Sequence, residues 1–252
     1  MIRAVRSGQV RVFVALMFVL TGCDQVFGLA RAPGDATGDG PSATAELVQQ
    51  VTGSSDPATT LEATLPAPPT SGHVLVMVGA AETAVLASVS GGGVTTWKVA
   101  ARSNRYQNVE IWYGVTDGSS STVTIKCVTS CTTTQGPMWM SLGEWSGLAT
   151  TSLFETGNAA NGTASAALPG VANAGAITTI DAPDLLIFGV VDHGTISTQV
   201  TGGQWTALEP ISLGSVAQSA WYQIVSTTGQ FAAETAVTSN WDAAIAAFRI
   251  AP

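Results

Sequence analysis

Apolar positions fall into one unbroken run near the N-terminus and, from about residue 46 onward, many short runs separated by turn residues. Val12 to Leu20 is nine consecutive apolar residues, short of the ~18 to 20 that span a bilayer as a helix. Beyond Glu46 the runs have β character. Leu47 to Val51 and Thr60 to Leu65 flank the turn Gly53-Ser54-Ser55-Asp56-Pro57, and Pro66 to Pro69 closes the second. His73 to Val78 is almost continuously apolar, as a strand covered on both faces would be. Ala80 to Ser88 fits either a strand or two helical turns.

The pattern then echoes itself. His73-Val-Leu-Val-Met-Val-Gly-Ala-Ala matches the run from Asp184 to Val191, and Gly91-Gly92-Gly93 with Trp97 matches Gly202-Gly203 with Trp205. Val109 to Val115 matches Gln218 to Val225, and Met138 to Trp145 is aligned with Ala243 to Ile250. Two four-stranded units in the same order, each with an apolar face it cannot bury alone, are expected to close on each other. The echo also assigns the Ala-rich stretch Trp241 to Ile250 to a strand against its helix propensity. Gly147 to Asp181 reads as a long connection carrying strands at Ala164 to Leu168 and Ala176 to Ile180. The expected fold is all-β: an antiparallel, jelly-roll-like β-sandwich over 46–252 with internal pseudo-two-fold duplication.

Residues 1–22 have the parts of an export signal: Arg3, Arg6 and Arg11, the apolar run, and small residues before Cys23. Leu20-Thr21-Gly22-Cys23 resembles the bacterial lipobox, which implies diacylglycerol on the Cys23 thiol and cleavage on its N-terminal side. Residues 23–45 are rich in Pro, Gly and small polar residues and read as a flexible tether. Asp35 and Asp39 lack the spacing of a calcium loop. Removing 22 residues that carry three arginines and no acid leaves 230 residues and takes the formal charge from −8 to −11. Such a surface repels nucleic acid.

Thr64-Leu-Pro-Ala-Pro, Gly72-His-Val-Leu-Val-Met-Val, Trp97, Ile111-Trp-Tyr, Glu144-Trp-Ser-Gly-Leu, Asp184-Leu-Leu and Ala247-Phe-Arg together resemble a β-sandwich domain widespread in bacterial exported and cell-surface proteins. The resemblance covers roughly 46–252 and implies a location outside the cytoplasm. It brings no catalytic residues.

With Cys23 assigned to lipid, Cys127 and Cys131 remain as a pair for an oxidising compartment, and a three-residue hairpin between them suits a disulfide. Two histidines, His73 and His193, leave a zinc site almost no ligands, and no metal or cofactor is expected. Of seven tryptophans, the echoed Trp97, Trp205, Trp112 and Trp221 read as core fillers, which leaves Trp139, Trp145 and Trp241 as candidates to stack on a ligand such as a glycan. Glu110 and Glu144 lie on expected strands and could form a glycosidase pair only at the right separation. Asp192-His193-Gly194 reads as a strand-end turn, since no Gly-x-Ser-x-Gly elbow accompanies it. The sequence thus describes a lipid-anchored protein of the bacterial cell envelope whose sandwich binds a glycan or another envelope protein without catalysis. A sandwich-type carbohydrate-degrading enzyme and a structural spacer in a surface assembly are the alternatives.

Overall fold

The computed structural model describes residues 44–252 apart from 57–58, 83–84, 104, 128–135 and 166. The signal, Cys23, residues 24–43 of the tether and Cys131 lie outside the described residues. The domain is all-β and every ladder is antiparallel, as expected. Its first half contains β1 (Glu46–Ser55), β2 (Thr60–Thr64), β3 (Val74–Ala81), β4 (Leu86–Gly91), β5 (Lys98–Arg102), β6 (Val109–Val115), β7 (Thr122–Cys127) and β8 (Met138–Ser146). The second contains β9 (Phe154–Gly162), β10 (Gly170–Asn173), β11 (Ile177–Thr179), β12 (Asp184–Asp192), β13 (Ile196–Thr201), β14 (Thr206–Ala207), β15 (Ile211–Leu213), β16 (Val216–Val225), β17 (Gly229–Phe231), β18 (Glu234–Val237) and β19 (Trp241–Arg249).

The first half pairs as β1-β8-β3-β6-β5 in a large sheet and β2-β7-β4 in a small one. The second repeats this as β9-β19-β12-β16-β14 and β10-β18-β13, adding β15 on β16 and the pair β11-β17. Ladder registers make the match residue by residue. Val76 pairs with Tyr113 and Gly143, and Ile187 with Tyr222 and Ala246. Equating Val76 with Ile187 keeps both strands' faces in phase.

Three expectations are corrected by this register. The connection at 147–181 is the start of the second unit: β9 and β10 repeat β1 and β2, Ser165 and Leu168 form an isolated bridge where a strand was expected, and the strand expected at 176–180 is β11. Ala81 pairs with Met138 and Asp192 with Trp241, so β19 aligns with β8 two residues earlier than the sequence echo suggests. The Ala-rich strand had no large side chains to fix its phase. Finally, the domain has four layers rather than two, because each large sheet also carries a small sheet on its outer face.

Burial explains the layers. β3 and β12 are buried along their whole length. One face of β3 (Val74, Val76, Val78, Ala80) and the matching face of β12 (Leu185, Ile187, Val191) form the core shared by the two halves. The opposite face of β3 packs under the small sheet through Leu61, Val123 and Ile125, and that of β12 under its counterpart with Ala172 and Val237. Where the halves meet at β12 and β3, a Cβ built on Gly189 would meet Val78 Cγ1 at 2.5 Å. The absent side chain is what lets the sheets touch there.

Polar clasps tie the halves as well. Gln218 Nε2 donates to the Val78 carbonyl (2.9 Å), and His193 Nε2 meets Glu82 Oε1 at 2.7 Å. Asp242, fully buried on β19, accepts from Ser103 Oγ and from the N–H groups of Arg105 (3.3 Å), Tyr106 (2.9 Å) and Gln107 (2.8 Å). The β5–β6 loop of one half is thus held by a carboxylate of the other. Each buried donor stripped of its acceptor costs ~1 to 3 kcal/mol, and part of the loop can turn to water. Asp242→Ala is therefore expected to lower urea-unfolding stability by about 2 to 4 kcal/mol; a loss under about 1 kcal/mol would mean the loop is held some other way.

Candidate functional site

The tryptophans set aside for a ligand are core residues. Trp139 and Trp145 are 0% and 1% exposed in the shared core, and Trp241 is 8% exposed in the second half's own core. They sit on β8 and β19, which are covered on both sides, so no indole face is open for stacking. Trp112 and Trp221 are buried as expected, whereas Trp97 and Trp205, expected to fill the core, are only partly buried, just before β5 and β14. Lying at the margins of the sheets released the echoed pair.

Glu110 and Glu144 face the same small sheet from β6 and β8. They stand opposite Gly79 and Leu75 of β3, so strand spacing and rise put their Cα atoms about 17 Å apart, and their carboxylates, whose spacing is what a glycosidase pair sets, are held by separate sets of donors. Each is committed locally. Glu110 accepts from Leu86 N–H, Arg102 Nη2 and Trp112 Nε1, all within 2.8 Å; burial still pushes its carboxyl above the ordinary range. Glu144 accepts from Thr70 N–H (2.8 Å), His73 Nδ1 (2.6 Å) and Gln49 Nε2. Burial works to raise it too, but the bonds from Gln49, Thr70 and His73 outweigh that and hold it low. Both glutamates pin loops to the sheet.

Asp192-His193 is a strand-end turn. Asp192 accepts from Thr238 and Ser239 N–H, while His193 reaches across to Glu82. Among the described residues no group of three or more His, Cys, Asp or Glu side chains is placed to hold a metal ion.

A cleft of about 360 Å³ lies where the edge of the first half meets the chain entering the second. That volume falls within the ~300 to 1,000 Å³ range of small-molecule sites. On one side stand Thr95, Thr96, Lys98 and Tyr113; on the other, Thr150, Ser152 and Phe154. Tyr113 and Phe154 stack with centroids 5.8 Å apart and planes at 21°, and Phe248 meets Tyr113 edge-on at 5.3 Å. Burial pushes the Tyr113 hydroxyl above its ordinary pKa.

The far wall is braced. Ser152 is a non-glycine residue in the left-handed region (φ 50°), a conformation that surrounding structure must enforce. Arg249 Nη1 donates to its carbonyl at 3.1 Å, while Nη2 of the same guanidinium pairs with Asp181 at 2.7 Å. A shallower trough of about 270 Å³ shares Thr95 and is walled by Asp117 and the turn at Gly91 and Gly93. Among the described residues no carboxylate, imidazole or thiol lines the 360 Å³ cleft.

Sequence reasoning missed this cleft because its walls lie some 50 residues apart in the chain and meet only through the four-layer packing. One clue was available. Five basic residues follow residue 43, of which Arg102 and Arg249 are in ion pairs and Arg105 lies over the Tyr106 ring. Lys98 is exposed and forms no ion pair among the described residues.

No family model, no curated protein and no solved structure matches this chain.

One buried acid is electrostatically unfavourable. Asp184, fully buried at the start of β12, is pushed up to about 7 by burial first and then by the neighbouring Glu155, against the pull of Arg249. An unfolded Asp titrates near ~3.9. Between about pH 4 and 7 the folded chain therefore keeps a proton that the unfolded chain has released, so stability falls as pH rises through this window and stays lower above it. Asp184→Asn should be more stable than wild type at pH 8, by roughly 1 to 4 kcal/mol, with the gap closing near pH 4. Urea midpoints at the two pH values test this; an equal difference at both would show that Asp184 is not the group responsible.

Proposed function

We propose that this chain is a lipid-anchored protein of the bacterial cell envelope, tethered through Cys23 and residues 24–45, whose β-sandwich domain binds a glycan without catalysing a reaction on it. The observation that carries the binding reading is the lining of the 360 Å³ cleft: Phe154 stacked on Tyr113, the hydroxyls of Thr95, Thr96, Thr150 and Ser152, and one lysine, with no carboxylate, imidazole or thiol among the described lining residues. An aromatic face such as that of the partly exposed Phe154, with hydroxyl partners, suits the alternating C–H faces and hydroxyls of a sugar. The anchoring reading rests on Leu20-Thr21-Gly22-Cys23 following a basic start and a nine-residue apolar run. Two acyl chains, each buried methylene adding ~0.8 kcal/mol, hold a protein to a bilayer without a transmembrane helix. The separation of Glu110 and Glu144 weighs against the degradative-enzyme reading.

Cys127, buried at the end of β7, is proposed to form a disulfide with Cys131. Closing so short a loop is worth only roughly 2 kcal/mol on the chain-entropy estimate. Its loss would loosen the β7–β8 turn more than the fold.

Three outcomes are expected. Cys23→Ser abolishes palmitate labelling and signal cleavage in cells expressing the full chain; undiminished labelling would remove the anchor from the account. Non-reducing peptide mapping after alkylation recovers the 127–131 segment as a bridged species, and two alkylated thiols would refute the bridge. A glycan array probed with the full chain in detergent returns ligands; if it returns none, the spacer reading takes over.

A further inference from the structure

The repeated strand order and registers allow the cleft to be compared with its own counterpart. Tyr113 corresponds to Tyr222, as the shared pairing of Val76 and Ile187 requires. Trp145 then corresponds to Phe248, and their ladder partners Leu47 and Phe154 correspond to each other. Lys98, opposite Tyr113, corresponds to Thr206, opposite Tyr222. The aromatic contact below is kept in both places: Tyr113 meets Phe248 edge-on at 5.3 Å, and Tyr222 meets Trp145 edge-on at 4.9 Å. What differs is the rim. The open cleft has Lys98 and Phe154 where the counterpart has Thr206 and Leu47.

Packing needs are alike at the two related positions, so the shared Tyr–aromatic contact is accounted for by the fold, and the rim differences are not. Among the described residues Lys98 has no carboxylate partner, in a domain where acids far outnumber bases. A lysine lining a hydroxyl-rich cleft with no acid among its described lining residues is complementary to a small anion. Phe154 adds an aromatic face parallel to Tyr113. Thr95, Thr96 and Ser152 supply hydroxyls that both donate and accept.

We propose that this cleft is the binding site and that its ligand is a sugar unit bearing a carboxylate, with Lys98 meeting the carboxylate and Phe154 the sugar face. This deepens the glycan-binding reading above and rests on it. The negative charge of the domain as a whole opposes any anion at long range, so discrimination has to come from this single local cation, which makes it removable by one substitution.

Saturation-transfer NMR on the full chain in detergent, titrated separately with glucuronate, glucose and acetate, tests the assignment. Glucuronate is expected to bind about five- to tenfold more tightly than glucose, the range of a partly exposed charge-assisted contact. Lys98→Thr, which installs the counterpart's residue at an exposed position, should reduce that preference to within about twofold, and Lys98→Arg should keep it. Phe154→Leu should weaken glucuronate and glucose by a similar factor, about three- to tenfold. Equal affinity for the two sugars, or a preference that survives Lys98→Thr, overturns the assignment. So does acetate binding as tightly as glucuronate, which would make the cleft a carboxylate site without a sugar. Glycans bound by the chain but insensitive to Lys98→Thr and Phe154→Leu would overturn this site and leave the binding reading standing; no glycan bound at all would end both.

Discussion

Four strands in this domain, β3, β8, β12 and β19, are apolar on both faces, and the architecture follows from the need to cover them. Fully burying a Val, Leu, Ile or Phe side chain is worth ~1.5 to 3 kcal/mol, so an open face on either large sheet would forfeit several such contributions. Each unit covers one face with its own three-stranded sheet. The other face has only the duplicate unit available, and the two large sheets share one core there. Gly189 against Val78, and the alanines of β19, show how close that approach is.

Much of this was legible in the chain. Continuous apolar runs at His73 to Val78 and Asp184 to Val191 pointed to buried strands, and their repetition announced a duplication. The small sheets were harder to read. β2 and β7 alternate in burial and resemble any half-exposed strand, while β10 and β18 are four residues each and sit in Ala- and Gly-rich sequence. Without them the two outer layers disappear and 147–181 looks like a connection. The tryptophan assignment failed for a related reason. An echo marks positions that the fold repeats, but position within the layers decides burial, and Trp139 lies between sheets while Trp97 lies at a margin. The cleft could not have been read in advance, since its walls come from residues 95–98, 113 and 150–154 and are joined only by the packing of one unit on the other.

Charge is scarce in this chain and is spent internally. Glu110, Glu144, Asp192 and Asp242 are buried carboxylates, and each accepts backbone N–H bonds from a loop that would otherwise be loosely held. A buried carboxylate with several N–H donors is stable where an unpaired one is not, and the same bonds set the paths of loops that no apolar contact fixes. Asp184 is the departure, sharing its corner of the sheet with a second acid. The guanidinium of Arg249 links that corner to the cleft wall through the Ser152 carbonyl.

If the shared core holds the halves together as one folding unit, neither should unfold before the other. Replacing the tryptophans with 5-fluorotryptophan gives separate ¹⁹F resonances for Trp112 on β6 of the first half and Trp221 on β16 of the second, each within its own half's core. On titration of the full chain with urea, the two native signals should disappear at a common midpoint with a common slope. Two resolved midpoints, with one half keeping its native signal after the other has lost it, would contradict the account.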